Sequence, residues 1–163
     1  MPDTEAVSDV PHWPTGMSAA FTEVRRQPLL RLMTPHLKQG GDRPMVIFDD
    51  GVELSCSDFL AATERLAAGL AAHIRPGDQV GLAIGNRAEF LIARYAVQSL
   101  RAVVVQFSPT VGDAEAEHIV ADRGLTLAIA DGPAADVLER VRSRQVTVLR
   151  VDPAAPEPHG LQA

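Results

Sequence analysis

Residues 78–107 read DQVGLAIGNRAEFLIARYAVQSLRAVVVQF, and this stretch decides the fold class. Val80 to Ile84 and Ala102 to Val105 are short and almost wholly apolar, without the polar alternation of a half-exposed strand. Between them, Asn86-Arg87-Ala88-Glu89 has the spacing of a capping box and opens a helix to about Leu100. If Asn86 caps it, Asn86→Ala should cost about 1 kcal/mol. Two strands buried on both faces and joined by a helix make a parallel crossover, since a tight turn cannot connect parallel neighbours.

The same rhythm extends both ways. Downstream, apolar strands begin near Leu125 and Val146. Asp113, Glu115 and Glu117 occupy the first turn of a helix closed by Gly124, and Pro133 follows Asp131-Gly132 as a first-turn proline. Upstream, Ser55 is placed to cap a helix with Asp58 three residues on. Phe59, Thr63, Leu66, Leu70 and Ile74 then form its apolar face, and His73, Arg75, Pro76 and Gly77 supply the cationic end and the stop. Before that helix, Met45 to Phe48 and Val52 to Leu54 flank Asp49-Asp50-Gly51, a tight hairpin. The expected fold is α/β, three-layer, with a mainly parallel sheet of strand-helix units over residues 44–151. Residues 1–43 read as an amino-terminal arm with Pro11, Pro14, Pro28 and Pro35 and a short helical signal from Phe21 to Met33. Residues 152–163, with Pro153, Pro156 and Pro158, read as an extended tail.

Composition narrows the function classes. At 163 residues and 46% hydrophobic, the chain supports one core. A formal net charge of -6, with the 15 basic residues dispersed, argues against a nucleic-acid partner. The only cysteine, Cys56, excludes an internal disulfide. The start MPDTEAVSDV has neither a basic n-region nor an apolar h-region, so the expected location is the cytoplasm. No apolar run approaches the roughly 20 residues of a membrane span.

Chemical motifs are scarce. A phosphate loop gathers several backbone N–H groups on one anion, and neither G-x-G-x-x-G nor G-x-x-x-x-G-K-[ST] occurs. Gly81-Leu82-Ala83-Ile84-Gly85 runs through a strand instead of following one, so packing is the preferred reading. Lys38, the only lysine, lies beside Gly40-Gly41 and reads as a solvated loop residue. Cys56 falls in the first turn of its helix, where a thiolate is favoured, but no base is placed near it and a buried structural role is preferred. Glu115 and His118 stand three apart on one helix face, half of a two-metal pattern whose second half is absent. An exposed helical pair accounts for them. His12, His36, His73 and His159 are isolated, and turn chemistry accounts for Asp49 and Asp50. No catalytic, cofactor-binding or metal-ligating residue is assigned.

Two stretches carry a family resemblance: Val52 to Asn86, VELSCSDFLAATERLAAGLAAHIRPGDQVGLAIGN, and Glu89 to Asp131, EFLIARYAVQSLRAVVVQFSPTVGDAEAEHIVADRGLTLAIAD. Together, over about Pro44 to Val151, they resemble the amino-terminal portion of the AMP-forming acyl-CoA synthetase and adenylation-domain superfamily, which includes luciferases. The resemblance rests on an ordered set: hairpin and capped helix, Pro-Gly-Asp before a strand, Gly-Asn then Glu-Phe opening a helix, an Ala-Val strand ending at Pro109, and a Glu-rich helix. It implies that a complete relative activates a carboxylate with ATP and Mg and passes the acyl group to coenzyme A or a carrier-protein thiol. The family's Ser/Thr/Gly-rich phosphate loop, aromatic-Gly-x-Thr-Glu motif, ribose-binding Asp and catalytic Lys come after the matched region, so no role carries over to a residue here. The chain also departs from the family pattern at Arg101, usually Gly, at Gln106, usually Pro, and at Ser108, usually Asn. Arg101 must find room or point to solvent.

Three readings remain open at this stage. The chain is a truncated or split amino-terminal segment of such a ligase, partnered by the missing carboxy-terminal part and not competent for adenylation alone. Or it is a stand-alone non-catalytic homologue that binds another protein. Or it is an unrelated small α/β binding domain, with a ligand expected at the carboxyl ends of its strands.

Overall fold

The computed structural model describes residues 27–49, 51–141 and 145–151. A first helix, α1 (Leu29–Gly40), precedes an antiparallel hairpin of β1 (Pro44–Ile47) and β2 (Glu53–Ser55). Then follow α2 (Cys56–Leu70), β3 (Gln79–Ala83), α3 (Ala88–Ser99), β4 (Val103–Gln106), α4 (Asp113–Arg123), β5 (Leu127–Asp131), α5 (Gly132–Arg140) and β6 (Thr147–Val151). Strands β3 to β6 form a four-stranded, wholly parallel sheet in the order β4-β3-β5-β6. The alternation of apolar strands and helices has the expected parallel outcome, but only β3 and β5 are buried on both faces: β4 and β6 are the edges of the sheet among the described residues, and Val103 is exposed.

Side-chain size alternates along these apolar strands and divides the core. Val80, Leu82, Leu127 and Ile129 face one side, under α1, α2 and α3, around Phe59, Leu66, Ile92 and Val97. Ala83, Ala128 and Ala130 face the other, under α4 and α5, around Val120 and Leu138. Two helical layers on one sheet give the three-layer arrangement. Phe59 of α2 meets Tyr95 of α3 edge-on, with ring centroids 5.3 Å apart.

The hairpin turn closes where Gly51 N–H donates to the Phe48 carbonyl at 3.0 Å, with Gly51 at φ +83°. Asp50 lies outside the described residues. Ser55 caps α2 as expected: its hydroxyl accepts from the Asp58 N–H at 3.0 Å and donates to the Asp58 carboxylate at 2.6 Å. The helix ends earlier than expected, at Leu70, because His73 and Ile74 N–H groups converge on the Leu70 carbonyl. Ile74 still reaches the core.

Two further local expectations are corrected. Asn86 does not cap α3: Arg87 is the cap residue, in extended conformation, and no side chain caps the end. The helix starts at Ala88, one residue later than a cap at Asn86 requires, and the Glu89 carboxylate accepts from the Arg87 guanidinium at 2.8 Å. The basis for a cost on Asn86→Ala disappears with the cap. Near the amino terminus, part of the expected Phe21 to Met33 helix lies outside the described residues, and α1 runs to Gly40 with Pro35 inside it. Leu30 and Leu37 anchor it in the core on either side of the proline. The Thr34 hydroxyl donates to the Leu30 carbonyl at 2.8 Å, one turn back along the helix. Lys38 is consequently an exposed residue of the last helical turn, not of a loop. The tail from Asp152 lies outside the described residues.

Candidate functional site

The sheet order reverses between β3 and β5. From β3 the chain moves outward to β4 through α3; from β4 it returns through α4 to the far side of β3. Because α3 and α5 leave adjacent strands on opposite faces, a crevice opens at the carboxyl ends of β3 and β5, where open α/β sheets bind their ligands. Gly85, Asn86 and Arg87 form one wall, and Asp131 with Gly132 the other.

Two polar pairs close within this crevice. Asp131 is the cap residue of α5, yet its side chain does not cap that helix. It reaches across to accept the Gly85 N–H at 2.9 Å, joining the ends of β3 and β5. Arg87 turns to Glu89, with both side chains largely covered, at 27% and 12% exposure. A phosphate would need several unengaged donors converging there. The described crevice has the Asp131 carboxylate at its floor and the Arg87 guanidinium held by Glu89, while the first backbone N–H groups of α3 and α5 carry no side-chain cap.

The other residues singled out by the sequence stand apart from the crevice. Cys56, half-buried at the start of α2, packs so closely on α1 that a Cβ at Gly40 would lie 2.6 Å from its sulfur. This is a packing role for both residues. Glu115 and His118 are exposed on α4; His36, His73 and Asp49 are exposed elsewhere. His12, His159 and Asp50 lie outside the described residues. Among the described residues no group of three or more His, Cys, Asp or Glu side chains could hold a metal. Arg94, Arg101 and Arg123 are exposed, on or beside α3 and α4.

Two features escaped the sequence reading. The Asp131 to Gly85 bond spans residues 46 apart, and its only local trace is an acidic residue closing a buried strand. The second is an exposed cluster in which Arg150 of β6 binds Asp136 at 2.6 Å and Glu139 at 2.8 Å on α5. The hydrogen bond from Arg150 holds the Glu139 carboxyl below its ordinary range, and the same bonds push the Arg150 guanidinium up. Beside it, a recess of about 230 Å³ between α4 and α5 is lined by Asp113, Glu117, Val137, Arg140 and Val141, with Arg140 bridging to Asp113 at 2.8 Å.

Residues 34–162 match the model of the AMP-binding enzyme family, covering most of the described sheet and its helices. The chain belongs to that family. Its fold recurs in a fatty acyl CoA synthetase of Mycobacterium tuberculosis, with 25% identity and a TM-score of 0.62 over 73% of this chain and 25% of that one. A putative long-chain-fatty-acid CoA ligase of Rhodopseudomonas palustris CGA009 gives 22% identity and a TM-score of 0.64, over 74% and 32% respectively. The luciferase-like enzyme of the nonluminescent mealworm Zophobas morio superposes at a TM-score of 0.70 and 17% identity, over 83% and 32%. The family member described here thus spans a third or less of the length of these solved relatives. Among curated proteins no sequence match is found. Among the described residues no helix is long and apolar enough to cross a membrane.

Proposed function

We propose that this chain is the amino-terminal scaffold segment of an AMP-forming carboxylate ligase of the acyl-CoA synthetase type, and that it does not adenylate a carboxylate alone. The observation that carries this reading is the pairing of a family match over residues 34–162 with coverage of only 25–32% of the solved relatives cited above. In the crevice the Gly85 amide is engaged by Asp131 and the Arg87 guanidinium by Glu89, so neither is an unengaged donor for a developing charge. A complete enzyme of this kind joins a carboxylate to the α-phosphate of ATP, with Mg, releases pyrophosphate, and transfers the acyl group to coenzyme A or a carrier-protein thiol. We place the protein in the cytoplasm and its functional partner in the missing carboxy-terminal part of the ligase. No residue of this chain is given a role in binding ATP or in the chemistry.

A second reading, a stand-alone non-catalytic homologue acting through protein association, is favoured by one observation: strand β4 is an unpaired edge among the described residues. Carboxylate-dependent exchange of labelled pyrophosphate into ATP, over a panel of fatty, aromatic and amino acids, tests the first. The purified chain should give background exchange only. Exchange restored by a separately expressed downstream polypeptide supports a split ligase; robust exchange by the chain alone, abolished by a substitution within it, overturns the proposal.

A further inference from the structure

We propose that β6 is a strap held on the sheet edge by a charge latch, and that acid or salt opens it while the rest of the sheet stays closed. The latch is one chain of alternating charge across three elements. Arg140 of α5 binds Asp113 of α4 at 2.8 Å and donates at 2.9 Å to the Asp136 carbonyl. The Asp136 carboxylate accepts from Arg150 of β6 at 2.6 Å. Arg150 also takes the Glu139 carboxylate as a fork, Nε to Oε1 at 2.9 Å and Nη2 to Oε2 at 2.8 Å. Asp136 and Glu139 stand three apart on α5, so Arg150 spans one face of that helix and offsets the repulsion between its two carboxylates. A two-pronged guanidinium within a network is the surface geometry in which ion pairs contribute measurably.

The other attachments of β6 are those of an edge. It has a ladder on one side only, to β5, whereas β3 and β5 have neighbours on both. Thr147 N–H donates to the Thr126 carbonyl at 2.8 Å, and in the parallel pattern Leu149 and Val151 turn their amides the same way. Within the strand only Val151 is buried; Val148 and Leu149 are half-buried, and Thr147 and Arg150 are exposed. Segments with few buried contacts open first. Helix α5 stays in place, because Ala134, Ala135 and Leu138 are enclosed in the core and Arg140 bridges it to α4 across the recess between them. The fixed half of the latch is therefore α5, and the moving half is β6.

The charged groups around the latch set the conditions. Helix α5 presents Asp136, Glu139 and Arg140, α4 adds Asp113 and Glu117 at the recess, and Asp131 of β5 is committed to the Gly85 N–H. The bonds to Arg150 keep its guanidinium charged, so acid acts on the carboxylates alone. Because Arg150 holds the Glu139 carboxyl below its ordinary range, the contribution of that pair is complete above about pH 4.3 and is lost as the pH falls below it. Salt acts at any pH, since these pairs are exposed and screened. The inference does not rest on the ligase reading.

Hydrogen exchange of the full chain, read by NMR at the Thr147, Leu149 and Val151 amides against those of β3, tests it. Relative to neutral pH and low salt, protection on β6 should fall about fivefold at about 1 M salt or about pH 3, with β3 unchanged. Arg150→Gln should produce the same loss at neutral pH and low salt and leave nothing further for acid or salt to remove. Arg123→Gln, which breaks an ion pair within α4, should have no effect on β6. Protection on β6 that moves only together with β3, or that Arg150→Gln leaves unchanged, overturns the inference. A loss in Arg150→Gln that still deepens with acid or salt overturns it equally, because the latch is then not the group that responds.

Discussion

Helices α3 and α4 make successive crossovers in one sheet and are held in opposite ways. Helix α4 has acidic residues in its first turn and ends at Gly124 in the left-handed conformation, but buries only Ala116 and Val120. Neither helix has a side-chain cap and α3 also has an acid, Glu89, in its first turn, but α3 leaves through Arg101 at φ +61°, a conformation that glycine adopts without cost. Its exit is a complete Schellman motif, with Arg101 N–H on the Gln98 carbonyl at 3.0 Å and Ala102 N–H on the Val97 carbonyl at 3.4 Å. What it has in exchange is burial: Ile92, Ala93, Ala96 and Val97 are fully enclosed. Local signals define α4 and tertiary packing defines α3, as expected where propensity is the weaker term.

Substitutions can break this contrast. The largest effect should come from Ile92→Ala, a cavity in the packed face of α3, at about 2–5 kcal/mol of lost stability by chemical denaturation. Gly124→Ala, which puts a Cβ on a left-handed residue, should cost about 1–2 kcal/mol. Arg101→Gly should be the smallest and opposite in sign. Relief of the left-handed strain outweighs the added freedom of the unfolded chain, for a gain of about 0.5–1 kcal/mol. An unchanged or lower unfolding midpoint for Arg101→Gly would show that the arginine side chain contributes something its exposure conceals.

Much of the fold was legible because its signals are local. Strands buried on both faces lose alternation, and Ser55 with Asp58 three residues on is a complete cap in the sequence alone. Arg101 could be flagged as needing room because the pattern it departs from has glycine there; its positive φ and exposure give the reason. Asn86 lost its cap because α3 begins one residue later, with Arg87 at the cap position, and Pro35 lies inside α1 with Leu30 and Leu37 buried around it. Of the candidate site, only the strand ends were legible. The Asp131 to Gly85 bond and the strand order that creates the crevice depend on residues far apart in the chain.

Isothermal titration of the purified chain with ATP and Mg tests most directly the proposal that this segment does not bind the nucleotide alone. No saturable heat is expected, since at these strand ends the Gly85 amide is engaged by Asp131 and the Arg87 guanidinium by Glu89. Saturable binding of one ATP per chain, weakened by Arg87→Ala or Asp131→Asn, would contradict it.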